Sequence, residues 1–217
     1  MRGTPGIERS VYAELLDRPV DLLSTPWQNR TVTTTRPGPR ERLLDAAREL
    51  TYAEGVHVGV DAILKRADVA RRSLYQHFGG KDGLITEVLR GSGVLERYRR
   101  AMDDAGDDPR VRVLAVFDEL DRITAAPGFR GCRHTSAELA IADPAHPVHA
   151  EARAFKDDLH ALFAAELDRL GHPDPRFGAD QILVLVDGVF AHAVTRPDAR
   201  PARAARALAE TVLSAAP

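Results

Sequence analysis

Between Arg40 and Arg90 the apolar residues fall at helical spacing in three short blocks, and tight turns cut the blocks apart. Leu43, Leu44, Ala47 and Leu50 make the first stripe. Gly55 is placed to stop that helix in the left-handed conformation that glycine takes without strain. Val60, Ile63, Leu64 and Ala67 make a second stripe of two turns. Asp68, Val69 and Ala70 leave room only for a turn. A third helix follows, with Leu74 and Phe78 facing inward. Two short helices joined by a turn of three or four residues form a helix-turn-helix, whose second helix enters the major groove of DNA. No segment of the chain alternates like a strand for long, so the fold class is all-α.

The outward residues of the third helix carry the chemistry. Arg71, Arg72, Ser73, Tyr75, Gln76 and His77 lie within about two turns, and most can donate hydrogen bonds. Arginine forks onto guanine and glutamine pairs with adenine through major-groove edges, which assigns base reading to Arg71, Arg72 and Gln76. Tyr75 and His77 suit phosphate contacts, which fix position rather than read sequence. Gly79 and Gly80 then open a fourth helix with Lys81 in its first turn, where the macrodipole disfavours a cation. A DNA phosphate at the same helix end would satisfy both the lysine and the free backbone N–H groups. Arg42 is a further phosphate candidate.

The run from Val69 to Leu84, with Tyr75, His77, Phe78, Gly79 and Lys81, resembles the signature of TetR/AcrR-type transcriptional regulators. Ala46, Ala47 and Gly55, then Val60, Ile63 and Ala67, fit the rest of that family's DNA-binding head. The likeness covers about fifty residues. Three positions depart from the pattern. Gly59 and Val60 stand where the family usually opens its second helix with Thr or Ser, which removes a cap and a phosphate contact. Leu64 replaces a common small residue. Asp68 replaces the usual turn glycine, and Asp tolerates the left-handed region better than most residues. The resemblance implies a three-helix DNA-binding head over 40–86 and a helical ligand-binding and dimerisation core over 87–217. It further implies a homodimer, a double-stranded DNA operator and an unidentified small-molecule effector.

Net charge is −2, but 36–100 holds thirteen Lys/Arg against nine Asp/Glu, so the head is locally basic. No apolar run is expected to reach the ~20 residues of a membrane span, and no apolar stretch follows Met1 to Pro5 as in a secretory signal. A single cysteine, Cys132, fits a reducing cytoplasm. Residues 1–39 read as an N-terminal extension, with a short amphipathic helix at Ile7, Val11, Leu15 and Leu16 before a Pro- and Thr-rich linker. Arg30, Arg36 and Arg40 offer an arm for phosphates or the minor groove, against the plainer reading of a tail.

Beyond the head, the fourth helix is expected to run unbroken from Lys81 to Met102. Further helices are expected at Pro109 to Ala126, with Val111, Leu114, Phe117, Leu120 and Ile123 inward, near Ser136 to Ala142, and at Val148 to Gly171. The last pair, Phe177 to Thr195 and Arg200 to Ala215, carries apolar residues on more than one face, which implies a partner surface. The core holds six of the seven phenylalanines. A pocket lined by Phe117, Phe129, His134, Phe155, His160 and Phe190 is the expectation, apolar with a few polar groups. Cys132, beside Arg130 and Arg133, is either a thiol sensor or ordinary packing. His146 and His149 near Asp143 lack a ligand framework, so neither metal nor other cofactor is expected. No catalytic constellation stands out. The rival readings are a helical interaction module with a degenerate helix-turn-helix and a small all-α enzyme.

Overall fold

The computed structural model describes residues 36–196 and 200–215. The amphipathic segment at Ile7 to Leu16, the linker and Arg30 lie outside the described residues. Ten helices follow in order among the described residues: α1 (Pro39–Glu54), α2 (Val60–Ala67), α3 (Arg71–Phe78), α4 (Lys81–Arg90), α5 (Val94–Asp104), α6 (Pro109–Thr124), α7 (Arg133–Ala140), α8 (Pro147–Arg169), α9 (Pro175–Thr195) and α10 (Pro201–Leu213).

The head forms as its turn chemistry dictates. Pro39 opens α1, where its missing N–H costs nothing, and the Glu41 carboxylate accepts from the Gly38 N–H at 3.2 Å. Gly55 ends α1 at φ 90°, but its ψ of 171° puts it outside the left-handed helical region expected for it. Gly59 caps α2 with extended backbone and no side-chain bond. Asp68 sits in the left-handed region at φ 52°, ψ 54°, and is the one non-glycine with positive φ among the described residues. The Arg42 guanidinium holds that corner, donating to the carbonyls of Ala67 (3.0 Å) and Asp68 (2.7 Å). Leu43, Ala47, Ile63, Leu64, Ala67 and Leu74 close the head's core, with Phe78 against its edge.

The expected long fourth helix is two. Gly91, Ser92 and Gly93 interrupt it, Gly93 at φ 70°. Apolar residues continue at helical spacing across the break, which hid it, but two glycines in three residues forfeit too much backbone entropy to hold a helix there. Within α4, Leu84 and Val88 belong to the head's core, while Ile85 and Leu89 pack with Val56, Ala137 and Val148 in a separate cluster. One helix is thus buried on two adjacent faces, about 100° apart.

The larger core lies among α5, α6, α8, α9 and α10, around Tyr98, Phe117, Phe163, Leu167 and Ile182. Here α6 buries Val113 and Val116 alongside Leu114, Phe117 and Leu120, whereas Val111 is exposed against expectation. Helix α7 starts three residues earlier than expected because Cys132, in extended conformation, already serves as its N-cap. Two carboxylates are buried and paired. Glu166 on α8 accepts from Arg112 (2.8 Å) and Arg169 (2.5 Å), and the first bond ties α6 to α8. Glu119 on α6 accepts from Arg97 (2.9 Å) and Arg122 (2.8 Å).

Helix α9 corrects one expectation. Its 21 residues, with an 18-residue window of mean hydropathy 1.4, are long and apolar enough by length and composition to cross a membrane. Asp180 and Asp187 interrupt its apolar residues, but their neighbours are apolar enough to keep the average high. In the fold, its Ile182, Val186, Val189 and Phe190 are core residues, and Phe177, Val184 and Val194 face outward.

Candidate nucleic-acid interface and an internal cavity

Helix α3 buries one residue, Leu74, and presents almost everything else. Arg71, Arg72, Tyr75, Gln76 and His77 are exposed, and Ser73 is half-buried at the turn. A helix fixed by a single buried leucine at its centre and polar on the remaining faces is shaped to project rather than to pack. Arg71 forms an ion pair with Asp61 at the start of α2, so it must trade that partner for any base edge. Lys81 stands at the first turn of α4, half-buried, with no carboxylate partner among the described residues. Asp82 beside it pairs instead with His146 (3.3 Å).

Arg42 is placed differently from the others. Its Nη1 carries the bonds to the α2 carbonyls and a contact to Asp68 Oδ2 at 3.4 Å, and its Nε is buried without a partner. Its charge lies at the negative end of α2, where it complements the macrodipole. Arg40 pairs with Glu87 (2.7 Å) and lies 5.4 Å from the Phe78 ring centroid.

Beneath the head, a cavity of about 270 Å³ opens between helices of the core. Helix α5 supplies Val94, Arg97 and Tyr98. The end of α6 and its following loop supply Arg122, Ile123 and Phe129. The first turn of α7 supplies Cys132, Arg133 and His134, α8 supplies Phe155, Lys156 and Leu159, and α9 supplies Val186 and Phe190. Tyr52 of α1 reaches the same wall. Of the six residues expected to line a pocket, Phe129, His134, Phe155 and Phe190 do. Phe117 does not, being fully buried in the hydrophobic core on the inner face of α6. His160 does not either: it lies one turn past Phe155, facing the start of α9, where its Nε2 is 3.1 Å from the Arg176 carbonyl and 3.4 Å from Asp180. Helical spacing places a residue on the inward side but not beside a gap. The polar wall residues Arg97, Tyr98, Arg122 and Lys156 were not singled out from sequence, since they come from three separate helices and form no motif.

Aromatic contacts shape the cavity. The rings of Phe129 and Phe190 stack at 5.8 Å, and His134 lies flat on Phe155 at 3.8 Å. His134 is 2% exposed, and burial pushes its pKa down to about 4, so the ring is neutral near neutral pH. The Tyr98 hydroxyl is buried with no hydrogen-bond partner, and burial raises its pKa far above the ordinary phenol value, keeping it protonated. Arg133 links cavity to head. Its Nη1 donates to the Arg48 carbonyl at 2.8 Å, and its guanidinium lies 3.9 Å over the Tyr52 ring. The Tyr52 hydroxyl in turn accepts from the Arg130 N–H at 2.9 Å.

These features define an all-helical protein with a helix-turn-helix head on a larger helical core. The family profile of bacterial regulatory proteins of the tetR family matches residues 43–88. Over the fold, a TetR-type transcriptional regulator from Streptomyces avermitilis is 37% identical, with a TM-score of 0.75, covering 83% of this chain and 98% of that one. The TetR-family regulator SCO4454 of Streptomyces coelicolor is 32% identical at a TM-score of 0.76, covering 81% and 88%. An uncharacterised HTH-type transcriptional regulator of Mycobacterium tuberculosis is 29% identical over 139 residues, which are 62% of this chain and 64% of the relative. The chain thus spans just under two thirds of the length of the curated relatives that it matches. The chain belongs to the TetR family of transcriptional regulators.

Proposed function

We propose that the protein is a homodimeric, sequence-specific DNA-binding repressor of the cytoplasm, released from its operator when a small molecule fills the cavity. The observation that carries this reading is the outward face of α3, where five exposed polar side chains surround one buried leucine. Arg71, Arg72 and Gln76 read bases, Tyr75, His77 and Lys81 contact phosphates, and Ser73 lies at the groove edge. Two such heads must be held about one helical turn of DNA apart, ~34–36 Å, which requires a dimer. Helices α9 and α10 supply the surface for it. Val184 is 70% exposed, Phe177 and Leu208 are 57% exposed, and α9 is apolar enough that water is a poor partner for its outer side.

A ligand changes operator affinity only through unequal affinity for the DNA-competent and incompetent dimers, typically ~1–3 kcal/mol of coupling. Helix α4, packed in both the head's cluster and the neighbouring one, transmits that difference. The test is a binding isotherm of the purified protein on the DNA upstream of its own gene and on a scrambled control, at two salt concentrations. Tight binding to the first alone, falling steeply with salt, supports the reading. Absence of binding to any DNA at low salt and micromolar protein overturns it and favours the interaction-module reading.

A further inference from the structure

We infer that the cavity is built for a small apolar monocarboxylate, aromatic or short-chain aliphatic, with Arg133 as its charge partner. This rests on the ligand-release reading for its regulatory meaning but not for its chemistry.

The first argument is charge balance. Arg97, Arg122, Arg133 and Lys156 line the cavity, and no Asp or Glu among the described residues does. Two carboxylates stand behind the wall. Glu119 serves both Arg97 and Arg122, and Asp187 serves Lys156. Four cations against two anions leave the lining positive by two charges; solvent screens Arg97 and Arg122, so the excess weighs most on the half-buried Arg133. Arg133 is the lining cation with no carboxylate partner among the described residues; it makes do with one backbone carbonyl and an aromatic face. Burial lowers its pKa, the mark of a guanidinium short of solvation.

The second argument is the surplus of donors. The buried Tyr98 hydroxyl adds another donor with nothing in the protein to accept from it. A buried polar group left unsatisfied calls for a functional account. An acceptor-only group such as a carboxylate suits a donor-rich wall that holds both the guanidinium and the phenol, whereas an ammonium ligand would meet like charge. Much of the remaining wall is apolar, with Ile123, Phe129, Leu159, Val186 and Phe190 enclosing the body of the ligand beside Ser92 and the neutral His134. At about 270 Å³ the space lies just below the range for drug-sized ligands, which limits the occupant to one ring or a short chain.

The same geometry says how occupancy is reported. The guanidinium that clasps the carboxylate is the one that binds the Arg48 carbonyl and the Tyr52 ring of α1. A bidentate carboxylate is a stronger partner than one carbonyl, so the ligand draws Arg133 from the head.

The test measures direct binding to the full-length protein, without DNA, of phenylacetate, phenylacetamide and phenethylamine, and of hexanoate, hexanamide and hexylamine. Within each trio the body is nearly constant and the charge changes. The acids are expected to bind roughly ten- to a hundredfold more tightly than the amides, as for a hydrogen bond to a charged group, and the amines not detectably. Arg133→Gln should collapse the acid preference, and Arg133→Lys should retain part of it. Tyr98→Phe should weaken the acids without disturbing the fold, which keeps the test sound if Arg133→Gln fails to fold. Amides or amines binding as tightly as acids overturns the inference. So does failure of both acids at millimolar concentration, or an acid preference that survives Arg133→Gln. Operator affinity is titrated separately. Acid binding that leaves it unchanged sinks ligand release but keeps the site's chemistry, and release by a neutral compound seated in the cavity does the reverse.

Discussion

Acidification loads a proton onto a residue that the fold keeps neutral, and the size of the effect follows from where His134 sits. Its ring is 2% exposed and stacked on Phe155 with an interplanar angle of 3°. Burial lowers its pKa from the ordinary 6.5 to about 4. In the unfolded chain the ring takes a proton near 6.5; in the native protein it does so only near 4. Between those values the unfolded state binds more protons, so stability falls as pH falls. The contribution is intact above pH 6.5 and is gone by about pH 4. At ~1.4 kcal/mol for each unit of difference, the loss comes to roughly 3 kcal/mol. His149 works in the opposite sense, since the Glu138 carboxylate at 2.8 Å raises its pKa, and other carboxylates titrate in the same window. The comparison with His134→Phe, which keeps the stack and removes the titration, isolates the term. Urea unfolding of both proteins between about pH 7 and about pH 4.5 should show the wild type losing ~2–3 kcal/mol more than the variant over that span. A gap that stays constant across the series would refute the claim that native His134 resists protonation.

Other substitutions test the remaining parts. Tyr98→Phe removes an unpartnered buried hydroxyl and should leave stability unchanged or raise it by about 1 kcal/mol in thermal unfolding; a loss of that size would mean the hydroxyl is satisfied. Arg42→Ala should cost ~1–2 kcal/mol of head stability by freeing the α2 carbonyls. The reading of Arg42 as structural fails if the salt slope of DNA binding drops by a full contact instead. Lys81→Ala should weaken operator and random DNA alike and reduce the salt slope by ~1, while Arg71→Ala should relax specificity by ~1–3 kcal/mol at one base pair; equal losses on both DNAs for Arg71→Ala reverse that assignment. Val184→Asp places a charge on the outer side of α9 and should shift the protein to monomer mass by sedimentation at micromolar concentration; an unchanged dimer moves the interface elsewhere.

What could be read from the chain divides by the kind of physics involved. The head was legible because local rules agree there. Apolar spacing, the glycines at 55, 59 and 79, and the tolerance of Asp68 for positive φ all specify the same short helices. The outer helices of the core fall within a few residues of where apolar spacing put them, and Pro109, Pro147, Pro175 and Pro201, of which only the first was read as a helix start, each open one. The break at 91–93 was lost because periodicity across it is intact, and only backbone entropy argues against a continuous helix. The cavity was half legible. Aromatic residues at inward positions were found, but whether neighbours close over one, as they do over Phe117, depends on how distant helices pack. The ion pairs of Glu119 with Arg97 and of Glu166 with Arg112 were not legible, since those partners lie 22 and 54 residues away in sequence.

The two-sided burial of α4 bears on how such regulators can be recombined. Neighbouring residues serve different clusters, Leu84 and Val88 with the DNA-reading helices, Ile85 and Leu89 with α7 and α8. A hybrid joined at residue 86 would give a foreign half-helix to each side and mismatch both. The natural seam is the interruption at Gly91, Ser92 and Gly93, where no hydrogen-bonded ladder has to be cut. A hybrid joined there keeps α4 whole, but it inherits a second requirement: the recipient core must offer pockets for Ile85 and Leu89. The helix-turn-helix head and the helical core of this chain are therefore exchangeable only as far as that one helix face is matched.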